Sequence, residues 1–189
     1  MSKNIAVFAS GNGTNAERLF DYFEAHPTIK IAALFCNKQN APVIERAAKR
    51  AIPVVVFSRE DFVSGGVSNE LARMEIDWLV LAGFLWLLPP ALISQFPESI
   101  VNLHPSLLPK YGGKGMYGHH VHQAVLDAGD KESGITIHLV NEEYDSGGIV
   151  FQTKCKVENG DTADSLATKI HELEYMHLPG VVENLILSK

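Results

Sequence analysis

Hydrophobic and polar positions in the first hundred residues follow two alternating periods. Short β-branched or apolar runs at Asn4 to Ala9, Ile29 to Cys36, Pro53 to Phe57, Trp78 to Leu81 and Ile100 to Leu103 predict strands. Between the first two, Ala16, Leu19, Phe20 and Phe23 recur at i, i+3, i+4 and i+7, which gives a helix one apolar face. Pro42 suits the first turn of a helix running to about Arg50, and Pro89 or Pro90 opens another that ends near Phe96. Strands alternating with helices predict an α/β fold: a Rossmann-like three-layer sandwich with a mostly parallel central sheet.

The pattern changes after residue 104. Leu107 to Gly118 is rich in Pro, Gly and Lys without apolar periodicity, so a long loop beside a site is expected there. A helix from about His119 to Ala128 should follow, then an alternating strand Gly134 to Val140, a glycine-containing turn and a strand Ile149 to Val157. Some strands of this C-terminal half are therefore expected to be antiparallel. From Thr162 onward the pattern is helical, with Leu166, Ile170 and Leu173 on one face and a break expected at Pro179 and Gly180.

With 189 residues, 46% of them hydrophobic, one globular domain over residues 1–189 is expected. The longest apolar stretch, Trp78 to Leu88, is far shorter than the roughly 20 residues of a membrane span, and no secretory cleavage pattern follows Ile5 to Ala9; a cytoplasmic protein is expected. The two cysteines, Cys36 and Cys155, have no metal-type spacing and read as free thiols. A net charge of −6 argues against nucleic acid as a partner. His119 and His122 share a helical face, but no Cys or carboxylate at ligand spacing completes a metal set, and no metal is expected.

Two places carry candidate chemistry. Ser10 to Asn15, Ser-Gly-Asn-Gly-Thr-Asn, falls where the first strand passes into the first helix, with Thr14 and Glu17 spaced as a capping box. Glycines there let backbone approach a ligand, and free N–H groups at a helix start favour an anion such as phosphate; a plain tight turn is the competing account. The spacing matches neither the dinucleotide fingerprint nor the phosphate loop of nucleotide triphosphatases. Further on, Asn102 and His104 are two apart at a strand end, so their side chains share one side, and Pro105 holds His104 extended. Asp145 lies in a turn with Gly147 and Gly148 that can bring its carboxylate back over the sheet. Attack of an amine on a formyl carbon creates an oxyanion; Asn102 and a protonated His104 would donate to it, and Asp145 would support the imidazole's charge.

Ser-Gly-Asn-Gly-Thr-Asn at 10 to 15, Leu-Ala-Gly-Phe at 81 to 84, Asn-Leu-His-Pro-Ser-Leu-Leu-Pro-Lys-Tyr at 102 to 111 and Asp-Ser-Gly-Gly at 145 to 148 together resemble the folate-dependent formyltransferases over nearly the whole chain. The resemblance implies formyl transfer from 10-formyltetrahydrofolate to the amine of 5′-phosphoribosylglycinamide in purine biosynthesis, by a monomer or homodimer. It also implies a catalytic trio of Asn102, His104 and Asp145, with Gly13, Thr14 and Asn15 on the substrate phosphate and Glu174 on its ribose. Arg59, Leu85, Trp86, Leu87, Leu88, Asn102 and the stretch Val140, Asn141, Glu142, Glu143, Tyr144, Asp145 would line the folate pocket. The rival expectations are a formyltetrahydrofolate deformylase using the same trio, and a non-catalytic sensor of phosphate ligands on the same frame.

Overall fold

In the computed structural model, which describes residues 2–189, the strands and most helices form where their periodicities place them. The chain divides into two compact units, one up to Val101 and one from Asn102 onward. In the first, β1 (Lys3–Ala9) is followed by α1 (Thr14–Phe23), β2 (Ile29–Cys36), α2 (Val43–Ala48), β3 (Val54–Val56) and β4 (Trp78–Leu81). β1 pairs in parallel with both β2 and β4, and β2 with β3. Near-continuous apolar runs such as Ile5 to Ala9 are buried throughout, as parallel strands covered on both faces require. Ala16, Leu19, Phe20 and Phe23 are the buried residues of α1, the stripe their spacing predicts.

Two helices of this unit were not evident in the periodicity: α3 (Arg59–Ser64) and α4 (Gly66–Arg73). Their boundaries are set by local chemistry. The Ser58 hydroxyl accepts from the Asp61 N–H at 3.1 Å while Asp61 Oδ2 accepts from the Ser58 N–H at 2.9 Å, a reciprocal cap, and Gly65 at φ 92° separates the two helices. Both are short, so neither offers a long apolar stripe to read. α5 (Pro90–Gln95) begins at a proline as expected.

β5 (Ile100–His104) leads into an irregular stretch up to Gly118, then α6 (His119–Asp127), β6 (Glu132–Leu139), β7 (Ile149–Lys156) and α7 (Ala163–Leu187). β6 and β7 pair antiparallel, which gives the mixed character expected of this half. The strand order is β3-β2-β1-β4-β5-β6-β7, and the fold class is α/β and Rossmann-like, as the alternation predicts.

α7 differs from expectation in two respects. No break occurs at Pro179 and Gly180: the helix runs through Pro179 for 25 residues. Its N-terminus is fixed by the Thr162–Ser165 cap, and the buried Leu178, Pro179, Val182 and Ile186 anchor its second half, so packing outweighs the hydrogen bond a proline removes. The buried stripe also follows Leu166, Ile170, Glu174 and Leu178, and Leu173 is only half-buried. An i+4 stripe that includes a carboxylate is the feature the apolar count passes over.

Candidate active site

The glycine loop belongs to the first unit. Gly13 is the cap of α1 at φ 74°, and Thr14 is already the first helical residue. The expected Thr14–Glu17 capping box is absent, because the helix starts one residue earlier than that box requires and no side chain caps it. Glu17 instead pairs with two cations of α2 and its C-terminal end, Arg46 and Arg50, the latter at 3.0 Å. Arg46 in turn donates to the Asn12 carbonyl at 2.8 Å and to Asn12 Oδ1 at 2.9 Å. The loop is thus braced by α2, and its helix-start N–H groups have no side-chain cap.

Gly13 cannot be replaced without cost. A Cβ there would lie 2.2 Å from Val43 Cγ2 and 2.4 Å from Val43 Cβ, in a backbone conformation that L-residues disfavour. Gly13→Ala is therefore expected to cost about 2–4 kcal/mol, the sum of αL strain and overpacking against α2. The urea midpoint measures it, and an unchanged midpoint would mean that α2 yields freely.

Arg59 and Trp86 adjoin each other: the guanidinium lies 4.9 Å from the Trp86 ring centroid and 5.9 Å from that of Phe62. Trp86 continues a ring cluster with Phe57, Phe62 and Phe84. Leu85 and Leu87 are exposed and Leu88 is buried, so the segment offers two apolar side chains to solvent and anchors itself by a third.

The second unit holds the polar cluster. Asn102 and His104, on one side of β5, both reach Asp145: His104 Nδ1 is 3.4 Å from Asp145 Oδ1, and Asn102 Nδ2 donates to the same oxygen at 3.3 Å. The turn that delivers the carboxylate is tied by Asn141, whose Oδ1 accepts from the Glu143 N–H at 3.1 Å and the Ser146 hydroxyl at 2.9 Å. Val140 is half-buried, whereas Asn141, Glu142, Glu143 and Tyr144 lie exposed along this turn. Asp145 Oδ2 accepts from the Gly113 N–H at 2.8 Å, and a Cβ on neighbouring Gly112 would lie 3.2 Å from Asp145 Cβ. The long glycine-rich loop thus closes on the carboxylate itself.

His104 is 4% exposed, and its other ring nitrogen, Nε2, lies 2.8 Å from the Tyr111 carbonyl. A carbonyl only accepts, so Nε2 carries a proton; a carboxylate faces Nδ1. Acceptors at both nitrogens suit an imidazolium, a donor at each position. Tyr111 (φ 57°) and Asp145 (φ 53°), the two partners of this ring, both adopt the left-handed conformation that non-glycine residues rarely hold. The segment between is pinned: Thr136 Oγ1 donates to the Ser106 carbonyl at 2.6 Å and accepts from the Leu108 N–H at 3.0 Å, and the Leu108–Pro109 peptide is cis.

Sequence reasoning missed His138. It is buried on β6, with Nδ1 2.9 Å from the Leu139 carbonyl and Nε2 3.0 Å from Asn102 Nδ2. Nδ1 must donate to that carbonyl, so a neutral ring accepts at Nε2; the 3.0 Å contact from Asn102 is favoured over the 3.5 Å approach to Asp145. His138 thereby fixes which way the Asn102 amide points. The signal was available in part, since His138 lies inside the predicted alternating strand at a position where a polar ring needs a partner. Burial disfavours ionisation of Asp145, but the His104 imidazole and the Gly113 N–H outweigh it and hold the carboxyl well below the ordinary range; His138, accepting at Nε2, adds no donor to it.

Glu174 lies on the buried stripe of α7 at 5% exposure, with His171 Nε2 4.0 Å away. On α6, His122 is also buried, and its Nδ1 has no hydrogen-bond partner. Burial, and then the nearby His171 and His119, push its pKa down to about 4. The unfolded chain therefore binds a proton that the native state refuses between about pH 6.5 and 4, so stability falls as pH drops through that window. At full development the loss is about 3 kcal/mol. Urea midpoints from pH 7 to pH 4 should show this slope, and His122→Leu should flatten it; an equal slope in that variant would assign the effect to other groups.

In this α/β protein an amide, an imidazole and a carboxylate meet at a strand end, an arrangement whose chemistry allows oxyanion stabilisation beside a proton carrier. Residues 3–182 match the family described as formyl transferase, and the chain belongs to that family. It is 39% identical over 191 aligned residues to the chloroplastic phosphoribosylglycinamide formyltransferase of Arabidopsis thaliana, covering 95% of this chain and 65% of that one. With the phosphoribosylglycinamide formyltransferase of Haemophilus influenzae the identity is 37%, over 96% of this chain and 86% of the other. The chain thus spans somewhat under two thirds of the plant relative's length and most of the bacterial one's. Among solved structures, glycinamide ribonucleotide transformylase 1 from Geobacillus kaustophilus aligns with a TM-score of 0.89 at 36% identity, over 98% of this chain and 99% of that one. Both cysteines are free, and no helix of the described residues is long and apolar enough to cross a membrane.

Proposed function

We propose that the chain transfers a formyl group from 10-formyltetrahydrofolate to the amine of 5′-phosphoribosylglycinamide, a step of purine biosynthesis. The observation that carries this reading is the meeting of Asn102 and His104 on one carboxylate oxygen of Asp145, within a family whose relatives bear the corresponding names. The amine nitrogen attacks the formyl carbon, the carbonyl electrons pass to oxygen, and the tetrahedral intermediate expels the folate nitrogen. The amine loses one proton and the leaving nitrogen gains one, so a single imidazole between them suffices.

Asn102 Nδ2 and the His104 ring are the donors to the oxyanion. Both are engaged by internal acceptors, Asn102 by His138 and Asp145 and His104 Nε2 by the Tyr111 carbonyl, so an oxyanion takes the place of one of these acceptors. Gly13, Thr14 and Asn15 hold the phosphate at the start of α1. Glu174, a buried carboxylate that only accepts, binds a ribose hydroxyl. Arg59, Leu85 to Leu88 and Val140 to Asp145 bind the folate. The enzyme uses reduced folate as cosubstrate and no metal, and works in the cytoplasm as a monomer or homodimer.

The test is to mix the protein with 10-formyltetrahydrofolate, with and without glycinamide ribonucleotide, and follow the deformylated folate. Release that requires the amine is the expected result. Release without it would make the chain a deformylase, and no release would leave a phosphate-ligand sensor; either outcome overturns the proposal.

A further inference from the structure

Asp130 stands outside the trio, yet its carboxylate reaches the residue that holds the catalytic ring. Its place is set by the end of α6. Gly129 takes the left-handed conformation there, at φ 68°; its N–H donates to the Leu126 carbonyl at 3.0 Å, and the Asp130 N–H donates to the Val125 carbonyl at 3.3 Å. This paired closure of a helix end fixes the first residues beyond it. Val121 and Val125, both buried, anchor α6, and on the other side the Lys131 carbonyl accepts from the Val157 N–H at 2.9 Å. From that anchor Asp130 Oδ2 accepts from the Tyr111 hydroxyl at 2.9 Å and from Lys110 Nζ at 3.0 Å, and Oδ1 accepts from Lys110 Nζ at 3.2 Å. Lys110 is tied again through its carbonyl, which accepts from the Ser106 hydroxyl at 2.7 Å.

We propose that Asp130 is a positioning residue for formyl transfer, acting through the Tyr111 side chain on the backbone that holds His104. The Tyr111 carbonyl meets His104 Nε2 at 2.8 Å, and two residues further on the Gly113 N–H meets Asp145 Oδ2 at 2.8 Å. Both contacts of the loop with the trio therefore start from the residue that Asp130 grips. Tyr111 presents its carbonyl from a left-handed conformation, φ 57°, which is of higher energy for any residue with a Cβ. The hydroxyl bond to Asp130 opposes relaxation from the far end of the ring. As a source of stability this clamp is weak: the Lys110 and Asp130 side chains are 66% and 25% exposed, and exposed ion pairs add little to folding. Its effect falls on the geometry of the imidazole more than on the fold. The kinetic consequence rests on the formyl transfer proposed above, whereas the effect on the ring does not.

Tyr111→Phe removes one oxygen and keeps the ring, and Asp130→Ala removes the acceptor. Each is expected to lower kcat about tenfold or more, with KM for both substrates within about threefold of wild type and the melting temperature within about 4 °C. The two losses should not add: the double variant should fall no more than about twofold below the worse single one, because both break the same bond. In the isotope-labelled full chain without substrate, the His104 ring nitrogen signals should shift in both variants, which a role in folding alone would not produce. Lys154→Met, which breaks the neighbouring pair with Glu132, should leave kcat and the ring signals as they are. Stationary His104 signals in the folded variants, a kcat within about twofold of wild type, additive losses, or an equal loss in Lys154→Met would each overturn the assignment. Shifted ring signals in a chain without amine-dependent transfer would overturn the proposed function and leave Asp130 as the residue that sets the ring.

Discussion

His104→Ala is expected to lower kcat by roughly 10³-fold or more while KM for both substrates stays within a few-fold of the wild-type value. In the proposed mechanism the substitution removes one of the two oxyanion donors and the proton carrier at once, whereas the proposed contacts of phosphate and folate use other residues. Its effect on stability is not nil, because the ring is buried and joins two residues of left-handed conformation, Tyr111 and Asp145. Truncation leaves the Tyr111 carbonyl without its ring donor and Asp145 Oδ1 with Asn102 alone, at a cost of about 1–3 kcal/mol. A melting curve and a far-ultraviolet spectrum of the variant, taken with the kinetics, separate the two effects. A folded variant with kcat within tenfold of wild type would remove His104 from the chemistry.

The expected collapse in rate follows from a site whose parts were unequally legible in the sequence. Asn102 and His104 could be paired because a strand has a period of two and Pro105 forbids a coil after it, both local rules. Asp145 lies 41 positions beyond His104, and nothing local fixes where its turn goes; the Asn141 bonds and the Gly113 N–H that aim it are visible only in three dimensions. His138 escaped for a related reason, since its role comes from a cross-strand neighbour and not from its own segment. Strand positions in the fold were legible to within a residue or two, because parallel strands buried on both faces are written as unbroken apolar runs. Short capped helices such as α3 and the unbroken passage of α7 through Pro179 were not, because caps and tertiary packing decide them. Glu174 shows the same limit from the other side: on charge alone it belongs at the surface, yet its i+4 spacing from Ile170 and Leu178 places it in the stripe.

Asp145→Asn is the more discriminating substitution, because it keeps the size of the side chain and removes its charge. In the native turn one carboxylate oxygen faces His104 Nδ1 and Asn102 Nδ2 and the other accepts from the Gly113 N–H. An amide has one acceptor and one donor end, so either orientation sets an NH₂ against a donor, and the closure of the glycine loop or the support of the imidazolium is lost. A fall in kcat of about 10²–10³-fold is expected. The same variant carries a signature in stability that a rate alone would not. The folded carboxyl titrates below its unfolded value of about 3.9, so the unfolded chain binds the extra proton below about pH 4 and stability is lost as pH falls there. The substituted amide cannot titrate, so the acid limb below about pH 4 should flatten, while the slope that His122 produces between about pH 6.5 and 4 should persist. Urea midpoints collected from pH 7 to about pH 2.5 would reveal the two limbs separately. A variant whose lower limb matches wild type would show that Asp145 is not held ionised by the His104 imidazole and the Gly113 N–H, and the electrostatic basis of the site would fail with it.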